Sequence, residues 1–305
     1  MTAFALALDL GGTKLDAALV TETGEVLAAS RNRVPTGREL TPTGMEQALI
    51  ATTTRALAEL PEGAEFVGVG IGSAGPIDLA AGDIMPVNMP GLHGFALAPT
   101  ATEVVSGVLG RTDFVTGFRH DGACIALAES WIGAAAGARA SLSIVVSTGV
   151  GGGIVVDGAS IGGASGNAGH LGQMVIGGSE GAMTLEELAA GPPTVGWARQ
   201  QGWSGSTGED LARDAQAGDR IARAAIERSA GYVGLGLANA STLLDLEVIA
   251  ISGGFSRVSD DYVDLVATAL RSSAVLSYAQ ATRVVRSGLG DEGPLVGAAA
   301  LVLRR

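Results

Sequence analysis

The sequence predicts an α/β protein built from two related domains, and three observations carry that reading. Short apolar runs alternate with segments of helical spacing along the chain; "FALALDL", "FVGVGIGS", "SLSIVVS" and "EVIAIS" are the clearest strands. The opening "LALDLGGTKLDAALV" is echoed about 140 residues later by "IVVSTGVGGGIVVDG", as expected of duplicated halves. The 47 glycines are not periodic but gather at the ends of apolar runs, where a tight turn or a close backbone approach excludes a Cβ.

Taken in order, "FALALDL" is a strand, "GGTK" a turn, "LDAALVT" a second strand, "TETGE" a turn and "VLAAS" a third strand. Thr43 to Leu60 has helical spacing with a proline just beyond. "FVGVGIGSAGP" is a buried strand that runs into a Gly-Pro turn. "DFVTGFRHDGACIALAESWIGAAAG" is a strand, a short polar turn and a helix of small residues. After the echo, 208–244 is mostly helical, "EVIAISGGFS" is a strand ending in paired glycines, and "GPLVGAAALVLRR" is a closing apolar helix. The expected division is a smaller domain over 1–118, joined by the returning helix at 291–305, and a larger one over 119–290.

Hydrophobic residues make up 47% of the 305, enough for substantial cores, and the net charge is −12. An acidic chain without a basic run does not seek nucleic acid by bulk electrostatics. One cysteine, Cys124, excludes an internal disulfide framework and any multi-cysteine zinc site. The first apolar run is short and lacks a preceding positive region, so neither a signal peptide nor a membrane anchor is expected. The simplest location is the cytoplasm.

Three strand-end turns stand out: "DLGGTK" (Asp9 to Lys14), "STGVGGG" (Ser147 to Gly153) and "SGGFS" (Ser252 to Ser256). None has the spacing of a Walker A loop or of G-x-G-x-x-G. Any one alone reads more simply as an ordinary hairpin turn. Two in duplicated strand frames, with a third glycine pair after a late strand, suit backbone N–H groups gripping a nucleotide between two domains. Gly11, Gly12, Thr13, Lys14, Thr148, Gly149, Gly253 and Gly254 are the nucleotide candidates. Asp9, closing the first strand, is placed to hold Mg²⁺ through water.

These motifs resemble the ROK family (repressors, open reading frames and kinases) of the sugar kinase–Hsp70–actin superfamily, over nearly the whole chain. "DLGGTK" and "STGVGGG" match its phosphate motifs and "SGGFS" is similar to its adenosine motif. "VGVGIGSAGPID" and "VNMPGL" resemble its Gly-Pro and Asn-containing segments. "HDGACIALAE" resembles the helix start with the catalytic aspartate, and "GNAGHLGQMVI" and "LEELAAG" resemble sugar-binding segments. The resemblance implies two ribonuclease-H-like (actin-like ATPase) domains with a substrate cleft between them. It also implies an ATP- and Mg²⁺-dependent sugar kinase, usually a homodimer. No winged helix fits before Asp9, so a repressor of the family's usual plan is not expected.

By this resemblance Asp121 is the general base, although a lone aspartate at a helix start is otherwise an N-cap. Asn88 and Glu186 match sugar-binding positions. Three neighbours depart from the pattern: His120 stands where the kinases carry Asn, His170 where they carry Glu, and Gln173 where they carry His. In zinc-containing members that last His binds the metal beside a cysteine cluster. "GGSEGAMTLEELAAG" holds no cysteine, so no zinc is expected. Exchanging an obligate acceptor for a group that can donate alters which hydroxyl pattern a pocket satisfies. The expected substrate is a sugar or sugar-like polyol other than plain glucose, including a cyclitol, contacted by Asn88, His120, His170, Gln173 and Glu186. The alternatives are a non-catalytic sugar sensor, a glucokinase with a variant pocket, and a polymerising or chaperone-type ATPase. His93 is expected in a surface loop, and Cys124 in packing rather than reactivity.

Overall fold

The computed structural model describes residues 2–178 and 181–304; Ser179 and Glu180, within the cysteine-free stretch quoted above, and the two terminal residues lie outside it. The chain begins with β1 (Ala3–Leu10), β2 (Lys14–Thr21), β3 (Asn32–Pro35), α1 (Pro42–Leu57) and β4 (Glu65–Ser73). The short β5 (Ile77–Asp78) and β6 (Asp83–Ile84) precede α2 (Leu97–Leu109), β7 (Val115–His120) and α3 (Asp121–Trp131). Next come β8 (Ala140–Val146), β9 (Val150–Val156), β10 (Ala159–Ser160), β11 (Val175–Gly178), β12 (Gly181–Thr184), α4 (Leu185–Ala189) and α5 (Gly191–Gln200). The chain closes with α6 (Gly208–Gln216), α7 (Arg220–Leu244), β13 (Val248–Ser252), α8 (Tyr262–Ser273), α9 (Ser277–Gln280), β14 (Arg283–Arg286) and α10 (Gly293–Leu303).

Two compact units result: Met1–Gly133 with Gly158–Ala168 and Leu289–Arg305, and Ala134–Asp157 with Gly169–Gly288. In the first, the sheet order is β3-β2-β1-β4-β7. β1 pairs antiparallel with β2 and parallel with β4, which pairs parallel with β7. The alternation in "FALALDL" sorts its side chains by size, because successive residues of a strand face opposite ways. Phe4, Leu6, Leu8 and Leu10 join the core under α1 and α2, with Met45, Leu49 and Val105. Ala5 and Ala7 face the other side, in a core with Cys124, Ala298 and Val302 from α3 and α10.

Small residues let α10 come very close on that side. A Cβ on Gly70 would overlap the Ala298 carbonyl, and one on Gly297 would overlap the Cys124 carbonyl. This packing keeps α3 with the first unit, so the division of the chain falls after Gly133 while residue 118 lies inside β7.

The second unit orders β9-β8-β13-β14, with β8–β9 antiparallel and the other two pairs parallel. That repeats β2-β1-β4-β7, so the sequence echo is an echo of topology. Over 208–244 the helix breaks once, and the Asp219 carboxylate restarts it by accepting from the Ile221 and Ala222 amides.

Two expected elements differ. "VLAAS" gives only an isolated bridge at Val26 and a 3₁₀ turn over Ala28–Ser30; the third strand is β3. The Ser30 hydroxyl explains this, donating to the Leu27 carbonyl and accepting from the Leu19 amide in place of a strand ladder. The expected polar turn before α3 is absent as well: β7 passes directly into the helix, with His120 as its N-cap.

Gly70→Ala is expected to cost about 1–3 kcal/mol, since added volume cannot be absorbed against the α10 backbone. A wild-type urea midpoint would contradict that close approach.

Candidate functional site

In the first unit, the β1–β2 turn is closed by the Gly11 amide donating to the Lys14 carbonyl at 2.9 Å. Thr36 braces it twice: its amide donates to the Thr13 carbonyl and its hydroxyl to the Gly11 carbonyl. Gly12 faces Asn88, whose Cβ and Nδ2 would lie in van der Waals contact, 3.4 and 3.5 Å, with a Cβ at that position. Asn88 is thereby set against the first glycine turn. His93, exposed in the same loop, hydrogen-bonds through Nε2 to the Pro86 carbonyl at 3.1 Å.

Asp9 continues the alanine rank of β1, on the face covered by α3. It pairs in register with Asp16 and Gly72, and a Cβ on Gly72 would press on Cys124 Sγ at 3.1 Å. Burial, above all, and then the Asp121 carboxylate push the Asp9 pKa up to about 7, against a partial pull downward from Lys14. Asp16, also buried, is held ionised by Arg31 at 3.0 Å and Arg33 at 2.7 Å. Cys124, buried beside Asp9 and Asp121, has its thiol pKa raised by burial and by both carboxylates, so it stays a packed thiol.

Asp121 is the first residue of α3. Its Oδ1 accepts from its own helix's Gly122 amide at 2.7 Å, and 49% of its side chain remains exposed. A carboxylate at a helix N-terminus is favoured as the anion, which leaves it competent to take a proton. His120 is buried; Nδ1 accepts from the Ala123 amide at 3.3 Å and Nε2 meets the Ala168 carbonyl at 3.0 Å.

In the second unit, the β8–β9 turn carries Thr148 and Gly149. The Ser147 amide donates to the Gly149 carbonyl, and the Gly191 amide donates to the Ser147 carbonyl. Glu186, on α4, reaches this turn: its Oε2 accepts from the Val150 amide at 2.9 Å, and a Cβ on Gly149 would come within 2.6 Å of it. A capping box between Thr184 and Glu187 fixes the start of α4 and so aims Glu186. Gln173 Nε2 donates to Glu186 Oε1 at 3.4 Å. His170 stands at the head of the 171–173 turn, its carbonyl accepting from the Gln173 amide.

Gly253 has φ of +98°, and a Cβ there would collide with the Val146 carbonyl. Only glycine lets this turn lie against the β8–β9 turn, and Gly254 follows at van der Waals range of the Ser147 hydroxyl. Beside them opens a cavity of about 540 Å³, lined by Thr148, Pro192, Val195, Arg199, Phe255 and Arg257 among others. Of its lining residues the sequence singled out Thr148 and Gly254 and missed the walls on α5. The signal available was "AAGPPT", where Gly191 meets the Phe255 ring and prolines start a helix.

Two mixed α/β sheets of the same order, each with a glycine turn after its first strand, define the sugar kinase–Hsp70–actin fold. The ROK family profile matches residues 5–305, and the chain belongs to the ROK family. It is 32% identical over 282 residues to an N-acetylmannosamine kinase of Yersinia pseudotuberculosis, with 88% of each chain covered. A ROK hexokinase from Thermus thermophilus superposes with a TM-score of 0.82 at 31% identity, covering 98% of this chain and 97% of that one. A ROK glucokinase from Streptomyces griseus in complex with glucose and AMPPNP gives 0.77 at 26% identity, covering 99% and 100%. Among the described residues no helix is long and apolar enough to cross a membrane.

The raised Asp9 pKa has a consequence for stability. Asp9 is neutral below about pH 7 in the fold but ionises near its ordinary value of 3.8 when unfolded, so raising the pH from 4 to 7 removes stability from the ligand-free protein. Asp9→Asn is therefore expected to match wild type near pH 4 and to be more stable by up to about 4 kcal/mol above pH 7. Thermal melts across that range check it; a variant less stable than wild type at pH 8 would refute it.

Proposed function

We propose that the protein transfers a phosphoryl group from ATP to a hydroxyl of a sugar or sugar-like polyol other than plain glucose, with Asp121 as general base. The observation that carries the reading is the half-exposed Asp121 carboxylate at the N-terminus of α3, close enough to the buried Asp9 to raise its pKa. A base needs access to the attacking hydroxyl, and the exposed half of this carboxylate supports that role.

Asp9 is the residue proposed to hold Mg²⁺ through water. A buried carboxylate next to a second one is a hard-oxygen site short of positive charge, and a hydrated divalent cation suits it. Bound magnesium–ATP would supply the electrophilic γ-phosphorus, the leaving ADP and part of the charge neutralisation. The chain's own part is to bind and orient. Gly11, Gly12, Thr13, Thr148 and Gly149 offer main-chain and hydroxyl donors to phosphate oxygens, and Lys14 adds a positive charge. Gly254, with Gly253 beside it in the chain, lines the cavity proposed for the nucleoside, where Phe255 and Val195 supply apolar faces. Asp121 takes the proton of the attacking hydroxyl as that oxygen is spent on phosphorus.

Asn88, His170, Gln173 and Glu186 are proposed to read the substrate's hydroxyls. Support for a substrate other than glucose comes from His170 and Gln173, which replace an acidic and an imidazole group of the glucose-type pattern. A site that hydrogen-bonds a hydroxyl discriminates strongly against analogues that leave its polar groups unpaired. A homodimer in the cytoplasm, with no zinc, completes the proposal.

The test is ADP formation from ATP over a panel of hexoses, amino sugars and cyclitols. A preference for an acceptor other than glucose is expected; a clear preference for glucose would overturn the substrate proposal. Binding of panel members without any turnover would favour a sensor. With the preferred acceptor, Asp121→Asn should lower kcat by about 10²–10⁴ while leaving nucleotide affinity unchanged. Near-wild-type turnover in that variant would remove Asp121 as the base.

A further inference from the structure

We propose that His120 is a positioning residue: a single neutral imidazole that ties the N-terminus of α3, where Asp121 stands, to the Asn167–Ala168 segment. This rests on the kinase reading only for why the placement of Asp121 matters.

The hydrogen bonds fix the tautomer. An amide N–H can only donate, so Nδ1, facing the Ala123 amide at 3.3 Å, carries no proton. A carbonyl can only accept, so Nε2, 3.0 Å from the Ala168 oxygen, carries the proton. The ring is 2% exposed, at the last position of β7. One side of it thus satisfies an orphan donor of the first turn of α3, as a capping side chain does. The other side holds a backbone oxygen 48 residues further along the chain.

The segment it holds is fastened to the same unit at other points. Asn167 accepts from the Ile77 amide at 2.9 Å and donates to the Ile77 carbonyl at 2.7 Å. The Leu79 amide donates to the Ser165 carbonyl, and the Ala168 amide to the Gly162 carbonyl. His120 adds the Ala168 carbonyl to this set, two residues before His170. The residue next to the proposed base therefore serves through its neighbours, holding the start of the base's helix and the root of a substrate segment. An Asn here, as in the kinases the sequence resembles, would keep the cap. Its shorter side chain would not reach Ala168, because its amide ends where the imidazole still has its far nitrogen to come.

The test needs no substrate. Nitrogen-15 histidine spectra of the wild-type protein at neutral pH should show His120 with a protonated, slowly exchanging Nε2 and a bare Nδ1. A protonated Nδ1, or an imidazolium, would overturn the proposal. Amide exchange then separates the two bonds. His120→Asn should leave the Ala123 amide within about threefold of wild type and speed exchange at Ala168 by about tenfold or more; His120→Phe should speed both. Unchanged exchange at Ala168 in His120→Asn would overturn the clamp even if His120→Phe fails to fold. Neither readout depends on turnover, so a failed kinase assay and a failed clamp are told apart.

Discussion

A buried carboxylate without a full counter-charge sets the terms for the first unit. Asp9 closes β1 on the face that α3 and α10 cover, and its burial is built from small neighbours: Ala5 and Ala7 along the strand, Gly72 across from it. Those same residues let α10 and α3 approach the sheet closely. Enlarging any of them would change the packing and the electrostatics together, because what fills the space beside Asp9 decides how strongly its charge is disfavoured. The Asp16–Arg31–Arg33 cluster directly across on β2 shows the other solution, a buried carboxylate with two guanidinium partners and a lowered pKa. One strand pair thus carries an acid paired with two guanidinium groups and an acid whose charge is disfavoured, and the cation-binding role proposed above falls to the latter.

The second unit repeats the strand order but not the chemistry. Its first hairpin ends in Val146 and resumes at Val150, with no acid at the place that Asp9 holds in the first. The carboxylate near this turn arrives from outside the sheet: Glu186, on α4, accepts from the Val150 amide and lies against Gly149. The turn is then crowded from the other side by Gly253. The echo seen in the sequence reflects shared topology more than shared side chains.

Much of this was legible in the sequence, and for identifiable reasons. Strand frames, the repeated hairpin and the glycine turns depend on local pattern, and local pattern survives folding. The position of Asp121 followed from a strand-end motif and is where the first turn of α3 begins. What the sequence could not show depended on partners distant along the chain. "VLAAS" reads as a strand because nothing local reveals that the Ser30 hydroxyl will bond the Leu19 amide. The cavity walls on α5 were missed because Val195 and Arg199 gain their meaning only from Phe255 and Arg257, about sixty residues on. His120 looked like a substrate contact by its place beside Asp121, and its two backbone partners come from α3 and from Ala168.

The departures at His170 and Gln173 gain a physical sense from Glu186. A carboxylate accepts and cannot donate, so it must be surrounded by donors to stay ionised at low cost. Val150 supplies one from the main chain and Gln173 a second from its amide. Gln in place of His keeps a donor toward Glu186 while also presenting an acceptor from the same group. With His170 standing where an acid is usual, this segment loses a negative charge and gains donor capacity. The substrate proposed above would suit it by bringing an acceptor to this side as well as hydroxyl protons, as an acylated amino sugar does with its amide carbonyl.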